Sequence, residues 1–239
     1  MQNRGTNRLS KTTSSLGTLV FDLDGTLVDS IRDLVPALNH ATASVGLPPI
    51  AEEDVGHIVG QGAMVMIARA FAFHEAELDD ETHKRLLSLF LEHYEEHIAD
   101  KTVFFDGCWD ALDELAAKGW ALCVCTNKYE HLARKLLGII DSAGRFPVIT
   151  GGDTFAQKKP DPSHILQTIK LAGGSPQRAI MVGDSINDIA AAQAANVPSI
   201  AVDFGYTDIP VSELGADIII SHFNAFPAAV ETITSRWSS

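Results

Sequence analysis

Residues 18–30 read TLVFDLDGTLVDS, and this stretch decides how the rest of the sequence is interpreted. Its first four residues are apolar or β-branched and predict a buried strand. The strand leads directly into Asp22 and Asp24, and Gly25 after them permits a sharp turn. Because ligands of a parallel sheet gather at the carboxyl ends of its strands, the two carboxylates are candidates for chemistry. A solvated Asp-Gly turn is the alternative interpretation of this segment taken alone.

Short apolar runs alternate with helical patterns along much of the remaining sequence. Further strands are predicted at residues 121–125, 148–150, 179–182, 197–202 and 216–220. Helices are predicted at residues 108–118, 128–137, 162–171 and 186–195. Strands that are apolar on both faces and separated by helices indicate an α/β fold, with a doubly wound parallel sheet of the Rossmann-like type.

Residues 31–102 contain no run that predicts a strand. Apolar residues recur there at helical spacing, as at Phe90 and Tyr94, so the segment is predicted to be an all-helical cap domain inserted into the sheet. The chain is expected to cross between the two parts near Ser30 and Thr102. The predicted organisation is a flexible N-terminal tail at 1–16, a catalytic core at 17–30 and 103–239, and the cap domain at 31–102.

The composition is that of a folded, acidic protein. Hydrophobic residues make up 46% of the 239 residues, and the formal net charge is -13. The electrostatic field of such a negatively charged protein repels polyanions, so neither nucleic acid nor an anionic membrane surface is an expected partner. No apolar run approaches the ~18 residues of a membrane span, and no secretory signal is recognisable, so a cytoplasmic location is expected. The oligomeric state stays open between a monomer and a homodimer.

Two further predicted strand ends carry groups that suit an anion. The run ending at Cys125 is followed by Thr126 and Asn127, which could cap the next helix and also donate hydrogen bonds to phosphate oxygens. Lys159 precedes a proline, which biases it to an extended conformation and fixes its direction. Its neighbour Lys158 is interpreted as an ordinary solvated lysine. A rigidly held lysine in an acidic protein indicates an anionic ligand.

The strand predicted at 179–182 is followed by GDSIND at residues 183–188. Ser185 and Asp188 have the spacing of a capping box, so Asp188 has a structural explanation of its own. Asp184 lies before the cap, where a carboxylate has little structural purpose. Several carboxylates meeting in one crevice would repel each other unless a cation neutralised them, and hard oxygen ligands suit Mg²⁺.

These motifs, in this order, resemble those of the haloacid dehalogenase superfamily. The matching segments are DxDGTLxDS at 22–30, the apolar run ending at Thr126, Lys159 before a proline, and GDSxxD at 183–188. The resemblance implies a nucleophilic Asp22 that forms an aspartyl-phosphate, and an Asp24 that acts as general acid and then as general base. It also implies Mg²⁺ as cofactor.

The resemblance assigns roles to the other positions as well. Mg²⁺ would be held by Asp22, the Asp24 main-chain carbonyl and Asp184. Thr126, Asn127 and Lys159 would bind the phosphoryl oxygens. Asp188 would support the water ligands of the metal or orient Lys159, without binding the substrate itself. Ser185 belongs to the same motif and would act with Asp188. The cap domain would exclude water and read the leaving group.

At the level of subfamilies, the sequence is most similar to bacterial phosphoglycolate phosphatases. The similarity lies in the cap segment around Gly60, Gly62 and Arg69, and in the segments near residues 150–153 and 205–223. It implies a small phosphorylated metabolite as partner, and hydrolysis of 2-phosphoglycolate to glycolate and phosphate. Arg69 is a candidate to bind the substrate carboxylate, although a surface arginine is the alternative.

Three other functions stay open at this stage. A sugar-phosphate phosphatase or mutase would keep both aspartates and differ in the cap. A metal-independent dehalogenase would keep Asp22, but it has no need of the acid at Asp24, since a halide leaves without a proton. A protein that merely binds phosphometabolites would have little reason to keep every catalytic position.

Overall fold

The computed structural model describes residues 15–51, 54, 58–59, 61–207 and 209–238. Its main feature is a sheet of six parallel strands: β1 (Gly17–Phe21), β4 (Trp120–Cys125), β5 (Val148–Thr150), β6 (Ala179–Gly183), β7 (Ser199–Val202) and β8 (Ile218–Ile220). Their order across the sheet is β5-β4-β1-β6-β7-β8. The predicted α/β fold with a parallel Rossmann-like sheet is therefore confirmed.

Helices cover both faces of this sheet. They are α4 (Cys108–Ala117), α5 (Glu130–Ile140), α6 (Pro162–Leu171), α7 (Ile186–Ala194) and α8 (Phe226–Thr234). Alternate residues of β1 supply the two cores: Leu19 and Phe21 pack in one apolar cluster, and Val20 packs in the other with residues of α6 and α7. Strand β1, in the interior of the sheet, is thus apolar on both faces because each face is covered by helices.

An all-helical segment separates β1 from the rest of the sheet. It contains α1 (Ile31–Ala43), α2 (Ala63–Phe73) and α3 (Asp80–Glu96), which pack on one another. We call residues 31–102 the helical insert. Treating it as a separate cap domain, with the boundaries given above, stays a prediction.

A two-stranded antiparallel sheet marks the base of the helical insert. It pairs β2 (Val28–Asp29), just before the insert, with β3 (Val103–Phe104), just after it. Close by, the buried Asp33 carboxylate accepts hydrogen bonds from Lys101 N, Thr102 N and Thr102 Oγ1. The entry and exit of the insert are therefore fastened together by backbone pairing and by one buried carboxylate.

One predicted helix start is wrong. Helix α5 begins at Glu130 with Tyr129 as its N-cap, and not at Lys128. Its first N–H group is taken by Asp153, whose Oδ1 accepts from Glu130 N at 2.8 Å. Thr126 and Asn127 therefore lie in a short connection before the helix, and neither caps it. Among the described residues, no helix is both long and apolar enough to cross a membrane. Of the predicted tail, residues 1–14 lie outside the described part of the chain.

Candidate active site

Asp22 and Asp24 lie at the tip of β1, where the chain turns sharply. Gly25 adopts a φ of 84°, a conformation that side chains rarely allow, as its place after the aspartates predicted. A Cβ atom at this position would also lie 2.4 Å from Asp184 Oδ2. The turn at the end of β1 therefore packs closely against the end of β6. This contact brings together the sequence motifs at 22–30 and 183–188.

Three buried carboxylates meet at this point: Asp22, Asp184 and Asp188 each offer an oxygen atom, and these atoms lie within 4.8 Å of one another. Burial raises the pKa of Asp22 to about 6, against the opposing effect of the Lys159 ammonium. Burial and the charges of Asp188 and Asp22 raise the pKa of Asp184 well above its ordinary value. Such a cluster fits a divalent cation with a preference for oxygen ligands, because the cation would remove this repulsion.

The Asp184 carboxylate is held in place from two sides. Thr26 Oγ1 donates to Oδ1 at 2.9 Å, and Tyr206 N donates to Oδ2 at 2.7 Å. The second bond requires a close approach of backbone, because a Cβ atom at Gly205 would lie 2.3 Å from Asp184 Cβ. The orientation of this carboxylate is fixed before any ligand binds.

Lys159 is a fully engaged, buried cation. Its Nζ donates to Asp22 Oδ1 at 2.7 Å and to Asp188 Oδ1 at 2.5 Å. Burial disfavours the ammonium, but Asp188 and Asp22 outweigh that effect and raise the pKa of Lys159. Its main chain is held as well, since Lys159 N donates to His164 Nδ1 at 3.3 Å and Asn127 Nδ2 donates to Lys159 O at 2.9 Å. Lys159 is therefore charged and positioned beside Asp22.

Asp188 combines the two functions that its sequence motif allowed. Ser185 N and Ser185 Oγ donate to its Oδ2 at 3.1 and 2.6 Å, so the predicted capping box at the start of α7 is present. Its other oxygen accepts from Lys159. The helix cap thus fixes the carboxylate that in turn orients the lysine.

A second buried ion pair involves a residue that the sequence analysis did not select. Lys128 Nζ donates to both oxygens of Asp24, at 2.9 and 2.7 Å, while Ser30 Oγ donates to Asp24 Oδ1 at 2.6 Å. The same ammonium lies 4.5 Å from the ring centroid of Tyr94 on α3. Although burial opposes it, the nearby Asp24 raises the pKa of Lys128. The sequence feature that could have identified Lys128 is its position directly after Thr126 and Asn127 at a strand end, but the sequence pattern placed Lys128 in the first turn of a helix.

These side chains open into a cavity of about 370 Å³ between the core and the helical insert. Asp22, Asp24, Thr126, Asn127, Lys128, Lys159, Ser185 and Asp188 line its core wall. From the insert, Gly62 reaches the wall, and a Cβ atom there would lie 3.4 Å from Asn127 O. The half-buried Arg69 is not among the described residues that line the cavity. Gly60, the other glycine selected in that segment, lies outside the described residues.

A parallel sheet whose strand tips carry paired aspartates, a buried lysine and a cluster of buried carboxylates is typical of one class of hydrolases. Residues 19–202 match the family model described as haloacid dehalogenase-like hydrolase. The chain therefore belongs to the haloacid dehalogenase-like hydrolase family, and the resemblance inferred from the four motifs is confirmed.

Similar proteins cover nearly the whole chain. The phosphoglycolate phosphatase of Agrobacterium fabrum is 51% identical over 218 residues, which is 91% of this chain and 94% of that protein. The phosphoglycolate phosphatase of Mesorhizobium japonicum is 46% identical over 207 residues, or 87% of this chain and 91% of that one. A crystal structure of a predicted phosphoglycolate phosphatase from Haemophilus somnus superposes with a TM-score of 0.82 at 30% identity, covering 89% and 97% of the two chains.

Proposed function

We propose that this chain is a Mg²⁺-dependent phosphatase that hydrolyses a small phosphate monoester, 2-phosphoglycolate, to glycolate and phosphate through an aspartyl-phosphate on Asp22. The observation that carries the proposal is the position of Asp22 at the cavity wall, 2.7 Å from the Lys159 ammonium. The similarity to proteins named phosphoglycolate phosphatase over most of the chain supports the substrate.

The proposed reaction has two chemical steps. An oxygen of Asp22 attacks phosphorus while the bond to the ester oxygen breaks, and the Asp24 carboxyl gives its proton to that leaving oxygen. In the second step, the Asp24 carboxylate takes a proton from a water molecule as that water attacks the phosphorus of the aspartyl-phosphate. Inorganic phosphate leaves, Asp22 is regenerated, and Asp24 is again protonated.

The phosphoryl group would be held from the core wall. Lys159 Nζ, Thr126 Oγ1 and the Asn127 N–H group are proposed to donate to its oxygens as charge redistributes in the transition state. Asp188 fixes Lys159 through a hydrogen bond of 2.5 Å. These groups are positioned before substrate binds, so little reorganisation is needed during the reaction.

Asp22, Asp184 and the main-chain carbonyl of Asp24 are the proposed Mg²⁺ ligands, with Asp188 as their close neighbour. When bound, the ion neutralises the carboxylate cluster and the phosphoryl oxygens, so that one anion can approach another. Asp24 lines the cavity, where a proton donor serves an alkoxide and is of no use to a halide. The position of this residue therefore favours a phosphatase over a dehalogenase.

The test is release of inorganic phosphate from a set of small esters with Mg²⁺ present. We expect kcat/KM for 2-phosphoglycolate to exceed that for glycerol phosphate and hexose phosphates, and EDTA to abolish the activity until Mg²⁺ is restored. A flat, low profile would contradict the substrate, and conversion of a hexose phosphate to its isomer would identify a mutase. Turnover that persists in EDTA would contradict the role of the metal.

A further inference from the structure

The two walls of the cavity differ in charge. The residues that the helical insert contributes to its wall, among those described, are all uncharged, and they include Met64, Met66, Phe90 and Tyr94. Among the described residues that line the cavity, every charged side chain belongs to the core wall. An anionic leaving group would therefore find its counter-charge on the core side, beside the catalytic groups.

Three lysines line the core wall among the described residues: Lys128, Lys158 and Lys159. Lys159 is occupied by Asp22 and Asp188, on the side where the phosphoryl group binds. Lys158 is exposed and flexible by nature. Only Lys128 is both buried, at 8% exposure, and directed at Asp24, the residue that serves the leaving oxygen.

We propose that Lys128 determines the specificity of the site by binding a carboxylate on the leaving group of the substrate, an inference that rests on the proposed function. Among the three lysines of the core wall, Lys128 is the one whose ammonium lies beside Asp24, the residue proposed to serve the leaving oxygen, at 2.7 Å. A carboxylate next to the ester oxygen would therefore lie on the same side of the cavity as this ammonium. The described residues that the insert contributes to the cavity wall offer it no positive charge.

The surroundings of Lys128 strengthen this effect. The Tyr94 ring lies 4.5 Å from the ammonium, which is within the range of cation–π attraction and fixes the position of the cation. Apolar side chains of the insert, among them Phe90 and Leu91, line the same cavity, so that an ion pair formed there is screened less than one in open water. The preferred substrates are phosphate esters of α-hydroxy acids, of which 2-phosphoglycolate is the smallest.

This assignment differs from the one that the sequence suggested for Arg69. Arg69 belongs to α2, and the described cavity wall does not include it. Lys128 belongs to the core and contacts Asp24, so it lies on the side of the cavity where the leaving group is proposed to bind.

The experiment compares two esters that differ in one group: 2-phosphoglycolate and 2-hydroxyethyl phosphate, in which a neutral CH₂OH replaces the carboxylate. Wild-type enzyme should prefer 2-phosphoglycolate in kcat/KM. Lys128→Met should lower kcat/KM for 2-phosphoglycolate about 100-fold or more, the range for loss of one partner of a buried ion pair, and should lower that for 2-hydroxyethyl phosphate less than tenfold. Lys128→Arg, which keeps the charge, should retain most of the preference.

Lys158→Met is the matched control, because Lys158 lines the same cavity but is exposed and lacks the contact with Asp24. It should keep the wild-type preference. Equal losses on both esters in Lys128→Met, or loss of the preference in Lys158→Met instead, would overturn the inference. A wild-type enzyme that hydrolyses both esters equally well would overturn it without any variant. Release of phosphate from neither ester would instead overturn the proposed function on which it rests.

Discussion

The proposed mechanism requires Asp24 to give a proton to the leaving oxygen, and an asparagine at this position cannot do so. Asp24→Asn should therefore reduce kcat/KM for 2-phosphoglycolate, which covers only the steps up to formation of the aspartyl-phosphate, by roughly 10²–10⁴-fold, the usual contribution of a general acid. The loss should be much smaller for p-nitrophenyl phosphate, because nitrophenolate leaves without a proton. Steady-state rates on the two esters measure the difference. Equal losses on both would contradict the role of Asp24 as an acid.

His164 is a buried histidine that holds the main chain of Lys159. Its Nδ1 accepts from Lys159 N, so its proton is on Nε2, a buried atom that has no partner among the described residues. Burial, and after it the charge of Lys159, lower the pKa of His164 from 6.5 to about 4. The unfolded chain therefore binds a proton that the folded one does not, and stability falls as pH decreases from about 6.5 towards 4.

Replacement of His164 by asparagine should remove this part of the acid sensitivity. We expect the loss of unfolding free energy between pH 6.5 and 4 to shrink by about 2–3 kcal/mol, as measured by urea denaturation across that range. The exposed His131 is the matched control, and His131→Asn should leave the pH dependence unchanged. Parallel curves for His164→Asn and wild type would show that His164 titrates normally in the folded protein.

The residues with a motif signature could be selected from the sequence, but Lys128 could not. Asp22, Asp184 and Lys159 follow strand ends, and parallel strands bring their ends to one edge of the sheet. The importance of Lys128 depends on two contacts across the fold, with Asp24 from β1 and Tyr94 from α3. No local pattern encodes such contacts between distant segments.

Among the elements, the loop after β7 is hydrogen-bonded to the base of the helical insert through Tyr206. The Tyr206 hydroxyl donates to Asp29 Oδ1 at 2.5 Å and accepts from Ser30 N at 2.8 Å and Ile31 N at 3.1 Å. Tyr206→Phe removes all three bonds and leaves a carboxylate and two N–H groups without this partner. The variant should lose about 1–3 kcal/mol of unfolding free energy in urea denaturation.

Tyr129→Phe is the control for that experiment. Tyr129 is half-buried, and its hydroxyl makes no hydrogen bond within the described part of the chain. Its replacement should change the stability by less than about 0.5 kcal/mol. If Tyr206→Phe were as neutral as this control, the hydroxyl would not fasten the loop to the insert.

The long elements followed from hydrophobic periodicity, and the short ones did not. The strands of the main sheet are apolar runs and were placed within a few residues of their observed bounds. Strands β2 and β3 have two residues each, which is too short for any periodic signal. The predicted start of α5 lies two residues before the observed one, because Thr126 and Asn127 have the composition of a cap, but the Asn127 side chain donates to Lys159 O instead.

At the scale of the whole molecule, a net charge of -13 and a buried carboxylate cluster lead us to expect that a bound cation stabilises the folded protein. A ligand that binds only the folded state stabilises it by about 2.7 kcal/mol at 100 times its Kd. Saturating Mg²⁺ should therefore raise Tm by roughly 5–10 °C relative to EDTA. Asp184→Asn should abolish the shift. The same shift in wild type and variant would place the cation elsewhere.

The central claim is that Asp22 becomes phosphorylated during turnover. Enzyme mixed with 2-phosphoglycolate and Mg²⁺ should be quenched in acid within a turnover, digested and analysed by mass spectrometry. The phosphoryl group should be found on Asp22 alone, and Asp22→Asn should give neither the labelled peptide nor released phosphate. Phosphate release by Asp22→Asn at a rate near that of wild type, or a phosphoryl group on another residue, would contradict the mechanism.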